Sequence, residues 1–335
     1  MKLGTIGSGA IVDNMFRAIE DVDGIDVEAV YSRNMDHAKE FANKHHVEKA
    51  YDSLDDLFSD EEIDTIYIAT PNTLHYPQAK KALEAGKNVI LEKPFTTTLE
   101  QARDLFETAE DNGVMIFEAI TNVHTPNFGL LKDNLPMGGK IKNVLLNFSQ
   151  YSSRYDRYRK GEVTNAFNPE FDGGALTDIN IYNIHLANGL FGKPDKVTYY
   201  PNIGFNGVDT SGTIIMEYPD FTVTAIGAKD CSADYECLLE GEDGTFKISK
   251  ASSGVMAQVD FIPVKKEEGE DEIRLSIEQG PHMSYEFMDF LVALNENDQA
   301  MYEKYKDETL AAMEMLMEAK KGRDARAAAR LNQEA

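Results

Sequence analysis

Basic residues are scarce in this 335-residue chain, in which 33 Lys and Arg stand against 58 Asp and Glu. The formal net charge of −25 argues against a nucleic-acid partner, because proteins that bind phosphate backbones present basic patches. A few basic residues near the C-terminus alternate with alanine, and we interpret them as a helix end or a frayed terminus: Lys320, Lys321, Arg323, Arg326 and Arg330.

Cysteine is equally scarce, and long apolar runs are missing. Cys231 and Cys237 give neither a disulfide framework nor a zinc pattern, so we expect two small buried hydrophobic residues. No apolar run is long enough to span a membrane, and residues 1–20 contain Asp13 and no secretory signal. No Asp, Glu and His cluster has metal-ligand spacing. These absences predict a cytoplasmic protein with no metal site and no membrane partner.

The most informative feature that is present is a glycine turn near the N-terminus. A short apolar strand runs directly into Gly7-Ser8-Gly9, and a helical pattern starts at Ala10 and Ile11. Gly7 permits a tight turn, Gly9 lets the backbone approach a pyrophosphate, and the helix N-terminus favours that negative charge. Val12 occupies the third position of the fingerprint, where Gly or Ala is usual. The turn predicts dinucleotide binding; the alternative is a purely structural glycine pair.

The first third of the chain alternates strands with helices. The predicted strands are almost wholly apolar, as parallel strands buried on both faces should be. They span 2–7, 27–31, 64–69, 88–91 and 114–118, and the helices 10–21, 34–45, 75–86 and 98–112. This repetition predicts an α/β fold whose doubly wound parallel sheet, a Rossmann domain, covers residues 1–122 and binds its ligand at the carboxyl edge.

The pattern changes after about residue 122, where strands with alternating apolar residues predict a large, mostly antiparallel sheet. Helices are predicted at 174–191, 285–296 and 304–321, and a charged hairpin loop at Lys265–Glu272. We therefore predict an α+β domain for substrate binding and oligomerisation at 123–322, followed by a C-terminal tail at 323–335.

The second strand ends at Ser32-Arg33, where NAD-binding folds usually place an acidic residue for the ribose 2′-hydroxyl. A hydroxyl and a guanidinium can instead bind a 2′-phosphate, and the guanidinium can stack on adenine. We favour this interpretation, which predicts NADP over NAD. The alternative is an ordinary solvated arginine.

Two further strand ends carry polar residues at the edge where a dinucleotide would run. One ends at Ala69 and is followed by Thr70, Pro71, Asn72 and His75, to which we assign cofactor contacts; helix capping by Asn72 is compatible with this. The other ends at Leu91 and is followed by Glu92-Lys93-Pro94.

Lys93 follows a buried strand and should project toward the ligand. It is a candidate acid/base or a cationic stabiliser of an alkoxide, and Glu92 and Lys93 are both assigned to the cofactor-binding set. The alternative is a structural ion pair between Glu92 and Lys93.

In the second region, Gly173-Gly174 opens a helix on which Asp178 and Tyr182 are four residues apart and so share one face. A carboxylate and a phenol near a lysine suggest proton transfer, with the ammonium lowering the proton affinity of the phenol. His185 lies near this face and ranks below Tyr182. A nearby loop either borders a polyol pocket or is solvated: Arg154, Tyr155, Arg157 and Tyr158.

Together these motifs resemble the Gfo/Idh/MocA family of oxidoreductases, named for glucose–fructose oxidoreductase and inositol dehydrogenase. The resemblance covers nearly the whole chain, and its most specific element is Glu92-Lys93-Pro94. It implies a Rossmann domain followed by an α+β domain with an open sheet, with Lys93 as the catalytic or substrate-binding lysine and Asp178 as a ligand of a substrate hydroxyl. Tyr182 stands where many members have His, as in the dimeric dihydrodiol dehydrogenase and NADP-dependent D-xylose dehydrogenase branch, where a Tyr is thought to act as the acid/base.

The resemblance implies an NAD(P)-dependent dehydrogenase that transfers hydride between nicotinamide and a hydroxyl carbon of a sugar, cyclitol or vicinal diol. Two alternatives stay open: a catalytically silent dinucleotide-binding regulator, and a reductase of a non-sugar substrate. The family resemblance and the apolar alternation of the sheet both predict a homodimer or homotetramer. Met216 and Tyr218 alternate with Ile215 and Glu217, so the sheet face not covered by helix should carry apolar side chains.

Overall fold

The computed structural model describes residues 1–265 and 272–334, which form two compact units. Unit 1 comprises Met1–Ala119 and Pro281–Leu310, and unit 2 comprises Ile120–Gly280 and Ala311–Ala335. The interior of the predicted hairpin loop, residues 266–271, lies outside the described residues. Within the described ranges, no helix is both long and apolar enough to cross a membrane.

Unit 1 contains the predicted doubly wound parallel sheet. Its six strands are β1 (Lys2–Ile6), β2 (Asp26–Tyr31), β3 (Lys49–Tyr51), β4 (Thr65–Ile68), β5 (Asn88–Glu92) and β6 (Ile116–Ala119). They are all parallel, in the order β3-β2-β1-β4-β5-β6. The order reverses at β1, so the crevice beside the β1 carboxyl end is the expected ligand site.

The first five helices of unit 1 alternate with the strands of its sheet, and three of them begin at a capping side chain. They are α1 (Ala10–Ile19), α2 (Met35–Lys44), α3 (Leu54–Ser59), α4 (Asn72–Glu84) and α5 (Leu99–Asn112). Side chains of Asn34, Ser53 and Thr98 accept the capping hydrogen bonds of α2, α3 and α5, and Gly113 ends α5 in the left-handed region at φ 66°. The sequence-based prediction missed β3 and α3, which are short and polar.

The helix α9 (His282–Glu296) and the start of α10 (Gln299–Glu334) belong to unit 1. The ring centroid of Phe287 lies 5.5 Å from that of Tyr67, and Phe290 stacks on Phe117 at 4.7 Å. The sequence-based domain at 123–322 includes these residues, because an apolar helix face does not reveal which sheet it covers.

Unit 2 is built on one large mixed sheet. Its strands are β7 (Ile141–Ser149), β8 (Lys196–Ile203), β9 (Asp209–Glu217), β10 (Thr222–Ala228), β11 (Cys237–Gly241), β12 (Gly244–Ser249), β13 (Gln258–Pro263) and β14 (Ile273–Arg274). Their order is β14-β13-β12-β11-β7-β10-β9-β8. The β7–β10 pair is parallel and the other pairs are antiparallel, so the predicted mostly antiparallel sheet is present.

The two faces of this sheet differ. One is fully buried and includes Val144, Ile214 and Met216, whereas the other carries half-exposed residues such as Ile215. Of the two alternating sets named above, Met216 and Tyr218 are buried, whereas Ile215 is half-exposed and Glu217 is exposed. The helices of this unit are α6 (Pro126–Asn134), α7 (Tyr155–Arg159) and α8 (Ile181–Phe191), together with the rest of α10.

The C-terminal residues continue α10 to Glu334. The side chains of Lys320 and Arg323 both bind the carboxylate of Asp172, at 2.5 and 3.0 Å. The start of the predicted tail is therefore part of a packed helix. A second expectation is wrong for one cysteine, since Cys237 is buried but Cys231 is exposed in the loop after β10.

Candidate active site

The β1–α1 turn has the geometry of a phosphate cradle. Gly7 has φ +127°, and a Cβ there would lie 2.5 Å from the Ala69 carbonyl oxygen, so the fold itself requires glycine. A Cβ at Gly9 would meet no protein atom within 4 Å, so packing does not explain this glycine. It leaves open the approach to the amides of Ala10 and Ile11, which have no partner earlier in the helix. These residues fit a pyrophosphate.

The end of β2 presents a cation. Arg33 is exposed and follows Ser32, whose amide donates to the Tyr51 carbonyl oxygen at 3.1 Å. Asn34 caps α2 by accepting from the His37 amide at 3.0 Å. Because the Asn34 side chain is engaged in this cap, Arg33 is left to contact a ligand at this strand end. Its charged guanidinium suits a 2′-phosphate.

His75 is fully buried and braces two strand-end turns. Its Nδ1 lies 3.0 Å from the Pro94 carbonyl oxygen and its Nε2 lies 2.9 Å from the Thr70 carbonyl oxygen. Burial lowers the pKa of His75. The imidazole thus joins the turn after β4 to the turn that carries Lys93, and the cofactor contact of His75 stays a prediction.

The Thr70 hydroxyl donates to Gln78 Oε1 at 2.7 Å, and Pro71 precedes the first residue of α4, Asn72. All three residues lie at the carboxyl end of β4, next to β1, where a dinucleotide would run.

At the end of β5 the two members of the predicted charged pair differ in burial. Glu92 is buried and accepts a hydrogen bond from the Tyr67 hydroxyl at 2.7 Å, and burial raises its pKa. Lys93, the next residue, is half-buried and is joined to Pro94 by a cis peptide bond. Glu92 is therefore part of the core of unit 1, and the cofactor contact predicted for it is not supported by its burial.

A second buried carboxyl lies near Glu92. Glu286 of α9 is fully buried, and neither of its carboxyl oxygens has a hydrogen-bond partner among the described residues. Burial, together with the charges of Glu92, Asp289 and Glu118, holds the pKa of Glu286 well above its usual value. The folded protein therefore keeps a proton on Glu286 at pH values where the unfolded chain has lost it.

The variant Glu286→Gln should stabilise the protein at high pH. Because the pKa is higher in the folded state, the free energy of unfolding falls as pH rises from about 4.3 toward the folded pKa. A neutral amide removes this loss, so the variant should be more stable than the wild type at pH 8 and no more stable at pH 4. Urea unfolding at both pH values tests this, with the exposed Glu296→Gln on the same helix as control. An equal effect at the two pH values would contradict it.

In unit 2, the segment 172–188 is buried at every residue except Asp178 and Tyr182. Residues Leu176–Asn180 form a π-helical turn that continues into α8. Such turns occur frequently at functional sites. This segment buries fifteen of its seventeen residues and leaves one carboxylate and one phenol partly exposed.

Packing requires glycine near the start of this segment. Gly174 has φ +125°, and a Cβ there would collide with Asp209 Oδ1. Asp209 Oδ2 accepts the Leu176 amide at 2.6 Å and the Tyr199 hydroxyl at 2.7 Å, and so holds the start of the π-helical turn. The two glycines therefore place Asp178 indirectly.

Asp178 has a partner that sequence reasoning missed. Its Oδ2 accepts a hydrogen bond from Nζ of Lys229, which is 2% exposed, whereas the Asp178 side chain is 40% exposed. Lys229 directly follows β10, just as Lys93 directly follows β5. The sequence signal that could have identified Lys229 is a lysine at the end of an apolar strand. Nothing in the sequence connects it with Asp178, 51 residues away.

Tyr182 lies one turn after Asp178. Its ring centroid lies 5.4 Å from that of Phe148, and its carbonyl accepts the Asn122 side-chain amide at 2.9 Å. His185 is buried, which is consistent with its lower rank. Tyr158, from the loop considered as a pocket border, is buried, and its hydroxyl donates to Asn206 Oδ1 at 2.7 Å. Tyr158 therefore belongs to the core rather than to a polyol pocket.

Comparison with known proteins gives matches over most of the chain. A model described as the oxidoreductase family with an NAD-binding Rossmann fold matches residues 1–120, and one described as the GFO/IDH/MocA C-terminal domain matches residues 139–247. The scyllo-inositol 2-dehydrogenase (NADP(+)) IolU of Bacillus subtilis (strain 168) is 32% identical over 321 residues, covering 96% of each chain.

Two further proteins are similar over part or all of the chain. The trans-1,2-dihydrobenzene-1,2-diol dehydrogenase of Mus musculus is 28% identical over 225 residues, covering 65% of each chain. A solved 3-ketoreductase from Actinomadura kijaniata, in complex with NADP and TDP-benzene, aligns with a TM-score of 0.83 at 21% identity, covering 96% of this chain and 97% of that one. This last likeness concerns the fold.

Proposed function

Because the chain belongs to the Gfo/Idh/MocA family of NAD(P)-binding oxidoreductases, we propose that it is an NADP-preferring dehydrogenase of cyclitols, sugars or vicinal diols. The sequence-based predictions of the family, the oxidoreductase activity and the nicotinamide cofactor are confirmed. The observation that carries the substrate proposal is that Asp178 and Tyr182 alone are left unburied in segment 172–188.

In the proposed reaction, a nicotinamide cofactor, when bound, would supply the acceptor for the hydride of the carbinol carbon. Tyr182 removes the hydroxyl proton as general base, and Asp178 orients the substrate by accepting a hydrogen bond from a hydroxyl group. The Lys93 ammonium stabilises the negative charge that develops on the substrate oxygen. The same groups, with the proton returned by Tyr182, serve the reduction.

A substrate panel tests this function. NADP⁺ reduction, followed by absorbance of the nicotinamide band, should occur with inositols, aldoses or cyclic trans-diols, and should be undetectable with simple monohydric alcohols. Tight NADPH binding, seen by its fluorescence, without turnover of any polyol or aldose would favour the silent regulator. Turnover only with an imine or another non-sugar substrate would favour the second alternative.

The variant Arg33→Ala should weaken binding of NADPH much more than binding of NADH. The exposed guanidinium at the end of β2 suits the 2′-phosphate, which only NADPH carries. A lost charge-assisted hydrogen bond costs about 1.5–3 kcal/mol, or roughly ten- to 150-fold in Kd. Fluorescence titration measures both affinities, with Arg17→Ala on α1 as control. An equal loss for both cofactors would mean that Arg33 acts only by stacking.

The open face of the unit 2 sheet supports self-association. Half-exposed apolar side chains share this face across four adjacent strands: Leu145, Ile215, Ile226 and Leu238. A sheet face with such residues is a natural two-fold interface, and burying it would stabilise a homodimer or homotetramer.

Light scattering at micromolar concentration should therefore give a mass of at least two chains. Leu145→Lys on this face should reduce the mass to that of a monomer, because a lysine would enter the apolar contact. The exposed Val292→Lys on α9 is the control. A monomeric wild-type protein would refute the proposal.

A further inference from the structure

The Lys229 side chain is a buried cation with contacts on three sides. Its Nζ donates to Asp178 Oδ2 and, at 3.0 Å, to the Ala166 carbonyl oxygen. The same Nζ lies 4.7 Å from the ring centroid of Phe167, which is itself fully buried. An ammonium is strongly hydrated in water, so its burial is tolerated only where charge and hydrogen bonds replace the lost solvent. Asp178 supplies the opposite charge.

The backbone around Lys229 fixes where this cation lies. The Lys229 amide donates to the Thr210 carbonyl oxygen at 2.9 Å, and its carbonyl accepts the Ser152 amide at 2.9 Å. Lys229 is thereby tied to both β9 and the chain that follows β7. The lysine is held by the sheet, and Asp178 is held by the lysine.

The ion pair is asymmetric in exposure. The lysine is 2% exposed and the carboxylate 40%, so the pair presents its negative member to solvent and keeps its positive member in the core. A carboxylate with an ammonium at hydrogen-bond distance stays ionised, and an ionised carboxylate accepts hydrogen bonds but donates none. The arrangement therefore favours ligands that offer a donor.

We propose that Lys229 is a positioning residue that holds Asp178 as an oriented, acceptor-only carboxylate, so that the site selects substrates with a second hydroxyl group next to the reacting one. This inference rests on the proposed function, and it assigns the requirement for a second hydroxyl group to the Lys229–Asp178 pair. A substrate without the second hydroxyl would offer no hydrogen-bond donor to the exposed side of the carboxylate, and its binding would gain nothing from Lys229.

A double-mutant cycle of Lys229→Met and Asp178→Asn tests this proposal. Methionine approximates the length of the lysine stem and preserves contact with the Phe167 ring, while removing the charge. Two readouts are taken for the wild type and each variant: steady-state turnover of the best vicinal polyol from the panel, and binding of that polyol to the enzyme–NADPH complex by NADPH fluorescence. The melting temperature and the NADPH affinity report the fold.

The proposal predicts that Lys229→Met raises KM and the polyol Kd about ten- to hundredfold while kcat changes by less than about threefold. Asp178→Asn should raise KM and the polyol Kd by a similar factor. The Kd of the double variant should be no higher than that of the single variant that binds the polyol more weakly, because the two residues act as one unit. An analogue of the polyol that lacks the second hydroxyl group should bind the wild type, the two single variants and the double variant with equal affinity. If Lys229→Met does not fold, Lys229→Gln takes its place in the cycle, since its amide can donate hydrogen bonds but carries no charge.

Additive losses in the double variant, an unchanged KM in Lys229→Met, or equal losses for the polyol and its analogue would each overturn the proposal. If the wild-type enzyme binds and turns over the polyol and any of these results is obtained, this inference fails while the proposed function stands. A wild-type protein that neither binds nor oxidises any polyol would overturn both.

Discussion

Replacing Lys93 with Ala is expected to abolish most turnover while leaving NADPH affinity and the melting temperature close to those of the wild type. Lys93 stands directly after β5, half-buried, on a turn fixed by the His75 and Phe95 contacts. Its ammonium is proposed to stabilise charge that develops on the substrate oxygen, and removal of one such group costs about 10²–10³-fold in kcat. The Rossmann turn that binds the pyrophosphate is on another strand, β1.

A matched control is Lys80→Ala on α4 of the same unit. Lys80 forms an ion pair with Asp104 at 2.7 Å on the surface of the unit, and such pairs contribute little to stability. Its loss should leave the rate unchanged. A folded Lys93→Ala enzyme with a near wild-type rate would reduce Lys93 to a structural cation beside Glu92.

The second large effect is expected for Tyr182→Phe, which removes one hydroxyl and keeps the ring contact with Phe148. Loss of a general acid–base group typically costs about 10²–10⁴-fold in rate. Oxidation requires a base, so the wild-type rate should rise with pH as Tyr182 loses its proton.

The Phe variant should lose this rise as well as the rate. Tyr151→Phe is the control, because the Tyr151 hydroxyl is exposed and donates to Asp156. A Tyr182→Phe enzyme with an unchanged rate and pH profile would transfer the role to Lys93 or His185.

The N-terminal sheet was predictable because its strands are apolar runs that end in polar or glycine turns. The strands that were not predicted have weaker sequence signals. β3 has only three residues, and in β8, β11 and β12 buried residues alternate with partly exposed ones, a pattern that loops can also show. The assignment of α9 to unit 1 depends on contacts such as Phe287 with Tyr67, which only the tertiary structure reveals. Burial of Met216 rather than Ile215 depends in the same way on which face the helices cover.

The site shows the same division between local and tertiary information. Asp178 and Tyr182 could be proposed from the sequence because spacing along a helix is a local property. The burial of His75 and Glu92 inside the motifs that were assigned to the cofactor is tertiary, and so is the pairing of Lys229 with Asp178. The motifs select turns of the chain, but they do not separate residues that are exposed at a turn from buried residues that hold it.

The most direct test of the account is the fate of the carbinol hydrogen. A vicinal polyol deuterated at the reacting carbon should be incubated with the enzyme and NADP⁺, and the nicotinamide product examined by mass spectrometry and NMR. The account predicts that the deuterium appears at C4 of the NADPH, without exchange with solvent, and that the Tyr182→Phe enzyme gives the same product far more slowly. NADPH without deuterium, or no NADPH from any polyol, would contradict it.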